Sequence, residues 1–171
     1  GHSVTASCGS AGYGSVDPAG TPPVTILRSK PLPFGHSPLM RVASYASFLV
    51  GAALRSMSGP TPDIVLTLTT PPLLGLVGTL VKRLRGARHF TWEMDLYPDI
   101  AEDLHVLRPS SVLSKLVGAL AGYVRRHADG VIALGEDMKD RLLARGIPES
   151  NIHVIHNWAD GREIQPLPWA P

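Results

Sequence analysis

Between residues 63 and 155, short apolar runs alternate with amphipathic stretches long enough to be helices. No other feature constrains the fold as much. Residues 63–68 (Asp-Ile-Val-Leu-Thr-Leu) are almost continuously apolar, as expected of a strand covered on both faces. Thr70 reads as the cap of the next helix, with Pro71 and Pro72 in its first turn. Leu73, Leu74, Leu76, Val77, Leu80, Val81 and Leu84 then fall on one helical face. Lys82, Arg83 and Arg85 suit the end of that helix, and Gly86 stops it. Residues 88–93 read as a strand, and 95–104 as an acidic segment of one to two helical turns. Ser110 or Ser111 opens a further helix, with Val112, Leu113, Leu116, Val117, Leu120, Tyr123 and Val124 on one face. Arg125, Arg126 and His127 close it. Residues 130–134 read as a strand, 136–145 as a helix and 151–155 as a final strand. Connections that hold a helix make neighbouring strands parallel. The expected fold is therefore α/β: an open, Rossmann-like parallel sheet with helices on both faces.

The flanking regions are less regular. Residues 2–8 and 24–27 are short strand candidates, separated by a Gly- and Pro-rich loop over 9–23. Residues 38–57 read as a helix with Ser37 as cap and Pro38 in its first turn. It is apolar nearly all round, but the thirteen residues between Arg41 and Arg55 are too few to span a bilayer. A buried core helix is the favoured reading, and a helix that also touches a membrane surface is the other. Residue 1 is Gly, and Gly1-His2-Ser3-Val4-Thr5 reads as a strand beginning in mid-domain. The expectation is a fragment: one domain over 1–157, truncated at its start, and a Pro- and Trp-containing tail or linker over 158–171.

Composition removes several function classes. Of the 171 residues, 44% are hydrophobic and 18% charged, enough to bury a core. A net charge of +2 gives no concentrated basic face for nucleic acid. The single cysteine, Cys8, permits no intrachain disulfide and fits a reducing, cytosolic compartment. No metal site is expected, because His153 and His156 would point to opposite faces of a strand. His89 reads as a strand residue near its polar end. The glycines at 9, 12 and 14 have the wrong spacing for a dinucleotide loop, and prolines follow them instead of a helix.

Open parallel sheets bind ligands at the carboxyl ends of their strands. Those ends are expected in the loops 69–72, 94–98, 135–136 and 156–158. Asp95 stands just past a strand end, beside Tyr97 and Pro98. A carboxylate there can accept hydrogen bonds from sugar hydroxyls or take a proton; equally, it can cap the following turn. Asn157 either shapes a turn or faces the cleft. Asp99, Glu102 and Asp103 read as a solvated helix face. The cluster Lys82, Arg83, Arg85 and Arg88 reads first as a solvated helix end, with anionic lipid or a diphosphate as the alternative partner.

Four segments in order are similar to one family: Thr69-Thr70-Pro71-Pro72-Leu73, Trp92-Glu93-Met94-Asp95-Leu96-Tyr97-Pro98-Asp99, Ala133-Leu134-Gly135-Glu136-Asp137-Met138 and Val154-Ile155-His156-Asn157-Trp158-Ala159-Asp160. They resemble the N-terminal domain of family 4 glycosyltransferases, in particular bacterial enzymes of O-antigen, capsule and colanic acid synthesis and their fucosamine-transferase-like branch. The resemblance implies half of a GT-B architecture, with the acceptor held mainly by this half. The other half would hold the nucleotide sugar, and transfer would retain anomeric configuration. It implies that Asp95 contacts the transferred sugar or the acceptor, with Thr69, Thr70, Tyr97, Glu136 and Asn157 lining the same cleft. The implied donor is a nucleotide sugar and the implied acceptor a lipid-linked glycan. No separate cofactor is implied. Peripheral contact with the inner face of the cell membrane would suit the helix over 38–57 and the cluster over 82–88. The family's first strand with its Gly-rich loop, and its C-terminal Glu-x7-Glu signature, have no counterpart here: no Glu is followed by another eight positions later. This sequence alone is therefore expected to be inactive. The rival classes are a non-catalytic, flavodoxin-like binding module and a nicotinamide-dependent enzyme on the same fold. Sugar-nucleotide or glycan binding without cofactor binding separates them.

Overall fold

A computed structural model describes residues 1–9, 24–33 and 37–158. The loop and tail readings over 10–23 and 159–171 lie outside the described residues. Strands β1 (Val4–Gly9) and β2 (Val24–Ser29) pair in parallel, Val4 opposite Val24. Strands β3 (Ile64–Leu68), β4 (Arg88–Trp92), β5 (Gly130–Ala133) and β6 (Ile152–Val154) form a second parallel sheet in chain order. The helices are α1 (Pro38–Ser58), α2 (Gly75–Arg85), α3 (Asp99–Asp103), α4 (Val112–His127) and α5 (Glu136–Ala144). This is the parallel α/β class that the alternation requires.

The helices pack as the crossover rule demands. Strands in chain order with right-handed connections bring α2, α4 and α5 to one face of the larger sheet. There α2 meets β3, β4 and α4, and α5 meets β5 and β6. The core under α5 is Leu96, Ala128, Val131, Ala133, Leu142, Ile147 and Ile152. Helix α1 packs on β1, β2 and α2. Arg85 of α2 ties down the end of α1, its guanidinium donating to the carbonyls of Ser56 (2.9 Å) and Gly59 (2.7 Å).

Several sequence-based expectations are corrected. Residues 63–68 do not form a strand covered on both sides: Thr67 faces the helices, whereas Ile64, Leu66 and Leu68 on the opposite face are exposed. Helix α1 is not a buried core helix. It buries Ser44 and Ala52 on its packed face and leaves Leu39, Met40, Val42, Val50 and Leu54 exposed. Thr70 is not a helix cap. The Thr70–Pro71 bond is cis, Leu73 takes a left-handed φ of 66°, and α2 begins only at Gly75.

The buried stripes of α2 and α4 are also rotated from the leucine-rich faces. On α2 the buried residues are Gly75, Gly78, Thr79 and Val81, while Leu80 and Leu84 are exposed. The reason is close approach. A Cβ on Gly78 would sit 2.2 Å from Nε2 of His89, and one on Gly75 would sit 2.5 Å from Val124. Small residues let the helix lie against the sheet, and the larger ones fan outward. On α4 the buried residues are Ser114, Ala121, Val124 and Arg125; Val112, Leu113 and Leu116 are exposed.

His89 is not near a polar end but wholly buried, its Nε2 2.9 Å from Oγ1 of Thr67. Burial first, then the Lys82 ammonium, lowers its pKa from 6.5 to about 4, against an opposing pull from Asp129. The folded state thus keeps His89 neutral where the unfolded chain already binds a proton. Stability should be intact above pH 6.5 and fall as pH drops toward about 4, by up to about 3 kcal/mol. Urea midpoints at pH 7 and pH 4.5 check this. Most of the drop should vanish in His89→Gln, and an equal drop in both proteins would contradict it.

In the basic cluster over 82–88, Arg83 and Arg88 are exposed, as the reading of a solvated helix end expects, while Lys82 and Arg85 are half-buried and bonded to other elements. Lys82 bridges to Asp129 at 2.8 Å and donates to the His127 carbonyl. Arg83 lies over the Tyr123 ring and Arg88 over the Phe90 ring, at 5.4 and 5.2 Å. The acidic segment is not merely solvated either. Asp99 pairs with Arg145 and Arg141, and Glu102 accepts from the Ser114 hydroxyl.

Candidate functional site

The carboxyl ends of β3, β4, β5 and β6 lie side by side along one edge of the larger sheet. In that order they present Thr69 and Thr70, then Glu93 to Tyr97, then Gly135 and Glu136, then His156 and Asn157. The Thr69 hydroxyl oxygen accepts the backbone N–H of Met94 at 3.0 Å and of Asp95 at 3.1 Å. Both lone pairs are used, so its own O–H is left to donate. One short side chain thereby binds the end of β3 to the loop after β4.

That loop is anchored at more points. Leu96 is buried in the core, Asp95 beside it is half-buried, and Tyr97 lines the recess with Val124 and Arg125 of α4. Pro98 follows a cis bond and packs beside Gly118 of α4. Burial, the neighbouring Asp95 carboxylate and Tyr45 of α1 hold the Tyr97 phenol above its ordinary pKa, so it stays a neutral donor at physiological pH.

Beneath the loop lies an ion pair that sequence reading missed. Arg125 Nη2 meets Glu93 Oε2 at 2.7 Å, with both side chains 3% exposed. Nη1 of the same guanidinium points at the Tyr97 carbonyl at 3.4 Å. Thr67, Thr69, Leu73, Thr91, Glu93, Tyr97 and Arg125 are among the residues lining a recess of about 30 Å³ behind the edge. That is room for a water or two and for no sugar ring. Nε of Arg125 and Oγ1 of Thr91 are buried there without a protein partner. Asp95 and Thr70 do not line the recess, and Thr70 is exposed at its rim.

Of the six residues singled out from sequence, Thr69 and Tyr97 share the recess, Asp95 lies between them in the chain and is tied to Thr69, and Thr70 is exposed at the rim. Glu136 and Asn157 are exposed at the ends of β5 and β6, on the same edge but outside the recess. His156 steadies the far end by donating from Nδ1 to the Leu134 carbonyl at 2.9 Å. Glu93 and Arg125 carried one available signal, a strand-end acid and a basic residue in step with Ala121 and Val124. Among the described residues no cluster of three or more His, Cys, Asp or Glu could hold a metal, and no helix is long and apolar enough to cross a membrane.

A parallel sheet with helices packed against it and polar loops gathered at its carboxyl edge is a Rossmann-like domain. Residues 1–158 match the family model of the glycosyl transferase 4-like domain, and the chain belongs to that family. It is also 28% identical over 127 residues to a protein of Pseudomonas aeruginosa described as the probable glycosyltransferase WbjE. The aligned segment takes in 72% of this chain and 31% of that protein, so the chain spans about a third of its relative.

Proposed function

We propose that this domain is the acceptor-side half of a retaining glycosyltransferase, which moves a sugar from a nucleotide sugar to a glycan acceptor in surface polysaccharide synthesis. The observation that carries the proposal is the family match over residues 1–158, taken with the strand-end loop fixed around Asp95. A second domain, beyond this sequence, presents the activated sugar to the cleft. An acceptor hydroxyl attacks the anomeric carbon on the face from which the nucleotide departs. The bond to the nucleotide diphosphate breaks, and the acceptor's proton leaves with that diphosphate. Asp95 accepts hydrogen bonds from hydroxyls of the sugar or the acceptor. Thr70 donates at the same rim, Tyr97 stands just behind it in the recess, Thr69 holds the loop, and Glu136 and Asn157 extend the surface along the edge.

The acceptor is lipid-linked, and the protein works at the inner face of the cell membrane without crossing it. The support is a run of exposed apolar side chains around the start of α4: Leu104, Val106, Val112, Leu113 and Leu116. A helix returning from β4 to β5 starts at the same carboxyl edge as the site.

The test is transfer by the whole protein, supplied with a panel of nucleotide sugars and a lipid extract of its source cells. Labelled sugar should pass to the lipid fraction from one or a few donors. Tight binding of a small ligand with no transfer from any donor, to lipid-linked or free glycan, would favour a binding module instead.

A further inference from the structure

The Glu93–Arg125 pair has an odd place in this fold. A buried ion pair gains little net stability, because desolvation of both charges offsets their attraction, and apolar residues of similar volume often serve as well or better. Holding α4 on β4 therefore needs no charges at this position. An apolar pair could not, however, donate an N–H to a loop carbonyl. Arg125 does so: one guanidinium nitrogen is neutralised by Glu93 at 2.7 Å while another points at the Tyr97 carbonyl at 3.4 Å. Glu93 is itself fixed at the end of β4, its N–H donating to the Ile132 carbonyl of β5 at 2.9 Å. The sheet thus holds Glu93, Glu93 holds Arg125, and Arg125 reaches the loop two residues beyond Asp95. On the other side of Asp95, Thr69 accepts the amides of Met94 and Asp95.

We propose that Glu93 and Arg125 are positioning residues: from inside the domain they set the path of the 94–98 loop, and with Thr69 they clamp the backbone that carries Asp95. The inference rests on the reading of Asp95 as a cleft residue. It assigns the pair a role in turnover that packing alone does not require. Neither side chain reaches solvent, and neither touches substrate.

The test compares wild type with the double variant Glu93→Leu, Arg125→Met in the whole protein, since either single truncation strands a buried charge and can unfold the domain. Three quantities are read: the melting temperature, amide exchange over residues 94–97, and the transfer rate. Melting should stay within a few degrees of wild type. Exchange over 94–97 should rise at least about tenfold, and kcat should fall by a similar factor with little change in KM. Unchanged exchange would overturn the inference, because the loop would then hold its path without the pair. Faster exchange with unchanged kcat would overturn it too, provided that Asp95→Ala abolishes transfer in the same assay. If Asp95→Ala leaves transfer intact, the reading of Asp95 fails, and the exchange result still decides whether the pair positions the loop. Should the double variant melt far below wild type, the milder Arg125→Lys takes its place: it keeps the charge and loses the forked reach to the Tyr97 carbonyl. Faster exchange over 94–97 and a lower kcat in that variant support the inference, and wild-type values for both overturn it.

Discussion

Glu93→Ala is expected to destabilise the domain by about 3–5 kcal/mol, the usual cost of removing one partner from a buried pair. The Arg125 guanidinium is 3% exposed and cannot turn to water, so the variant leaves a cation in a low-dielectric site. Its Nε already lacks a protein partner, and the neutral Tyr97 carbonyl at 3.4 Å from Nη1 does not replace the lost carboxylate charge. For a domain of this size the loss corresponds to a fall in melting temperature of roughly 10–15 °C. Arg125→Ala should behave alike, with Glu93 as the stranded charge. A thermal melt followed by circular dichroism measures the effect, and melting within about 2 °C of wild type would show that the pair is not buried as described.

The second large effect concerns turnover and not stability. Asp95 is half-exposed, and its backbone N–H, not its side chain, is what Thr69 accepts. Replacing the carboxylate should therefore leave the fold intact. If the carboxylate orients sugar or acceptor hydroxyls in the transition state, Asp95→Asn or Asp95→Ala should lower kcat by about 10²-fold or more. The substitution should leave melting within about 0.5 kcal/mol of wild type, as expected of a surface position.

Much of this architecture is legible in the sequence because it depends on local periodicity. The strands over 63–155, their parallel order and the loops at their carboxyl ends follow from apolar runs and connection lengths. The faces of the helices do not. Leucine spacing pointed the buried side of α2 at Leu80 and Leu84, whereas Gly75 and Gly78 are what touch Val124 and His89. A glycine carries no hydrophobic signal, yet it sets how closely two elements approach. The start of α2 failed for a different reason: a threonine before two prolines is a good cap only if the chain turns helical at once, and here a cis peptide bond and a left-handed Leu73 intervene.

The site divides in the same way. Asp95, Thr69, Thr70 and Tyr97 are candidates from their place past strand ends, which depends on chain order alone. Read locally, Glu93 is the last residue of a strand and Arg125 a cation that closes a helix. Their pairing exists only because α4 folds back over β4 and brings together residues 32 apart. The basic cluster over 82–88 is mixed: Arg83 and Arg88 are exposed, as a solvated helix end requires, whereas Lys82 and Arg85 reach Asp129 and the Gly59 carbonyl, partners distant in the chain.

On the proposed function, the carboxyl edge of the four-stranded sheet is the working surface of this glycosyl transferase 4-like domain. The most direct test is a side-by-side measurement of kcat for sugar transfer by the whole protein carrying Asp95→Asn at that edge or Asp63→Asn at the opposite edge. Asp63 is exposed just before β3 begins and faces away from the loops described above. The account predicts a fall of about 10²-fold or more for Asp95→Asn and a change of less than about twofold for Asp63→Asn. Equal rates in the two variants, or a larger loss at Asp63, would contradict it.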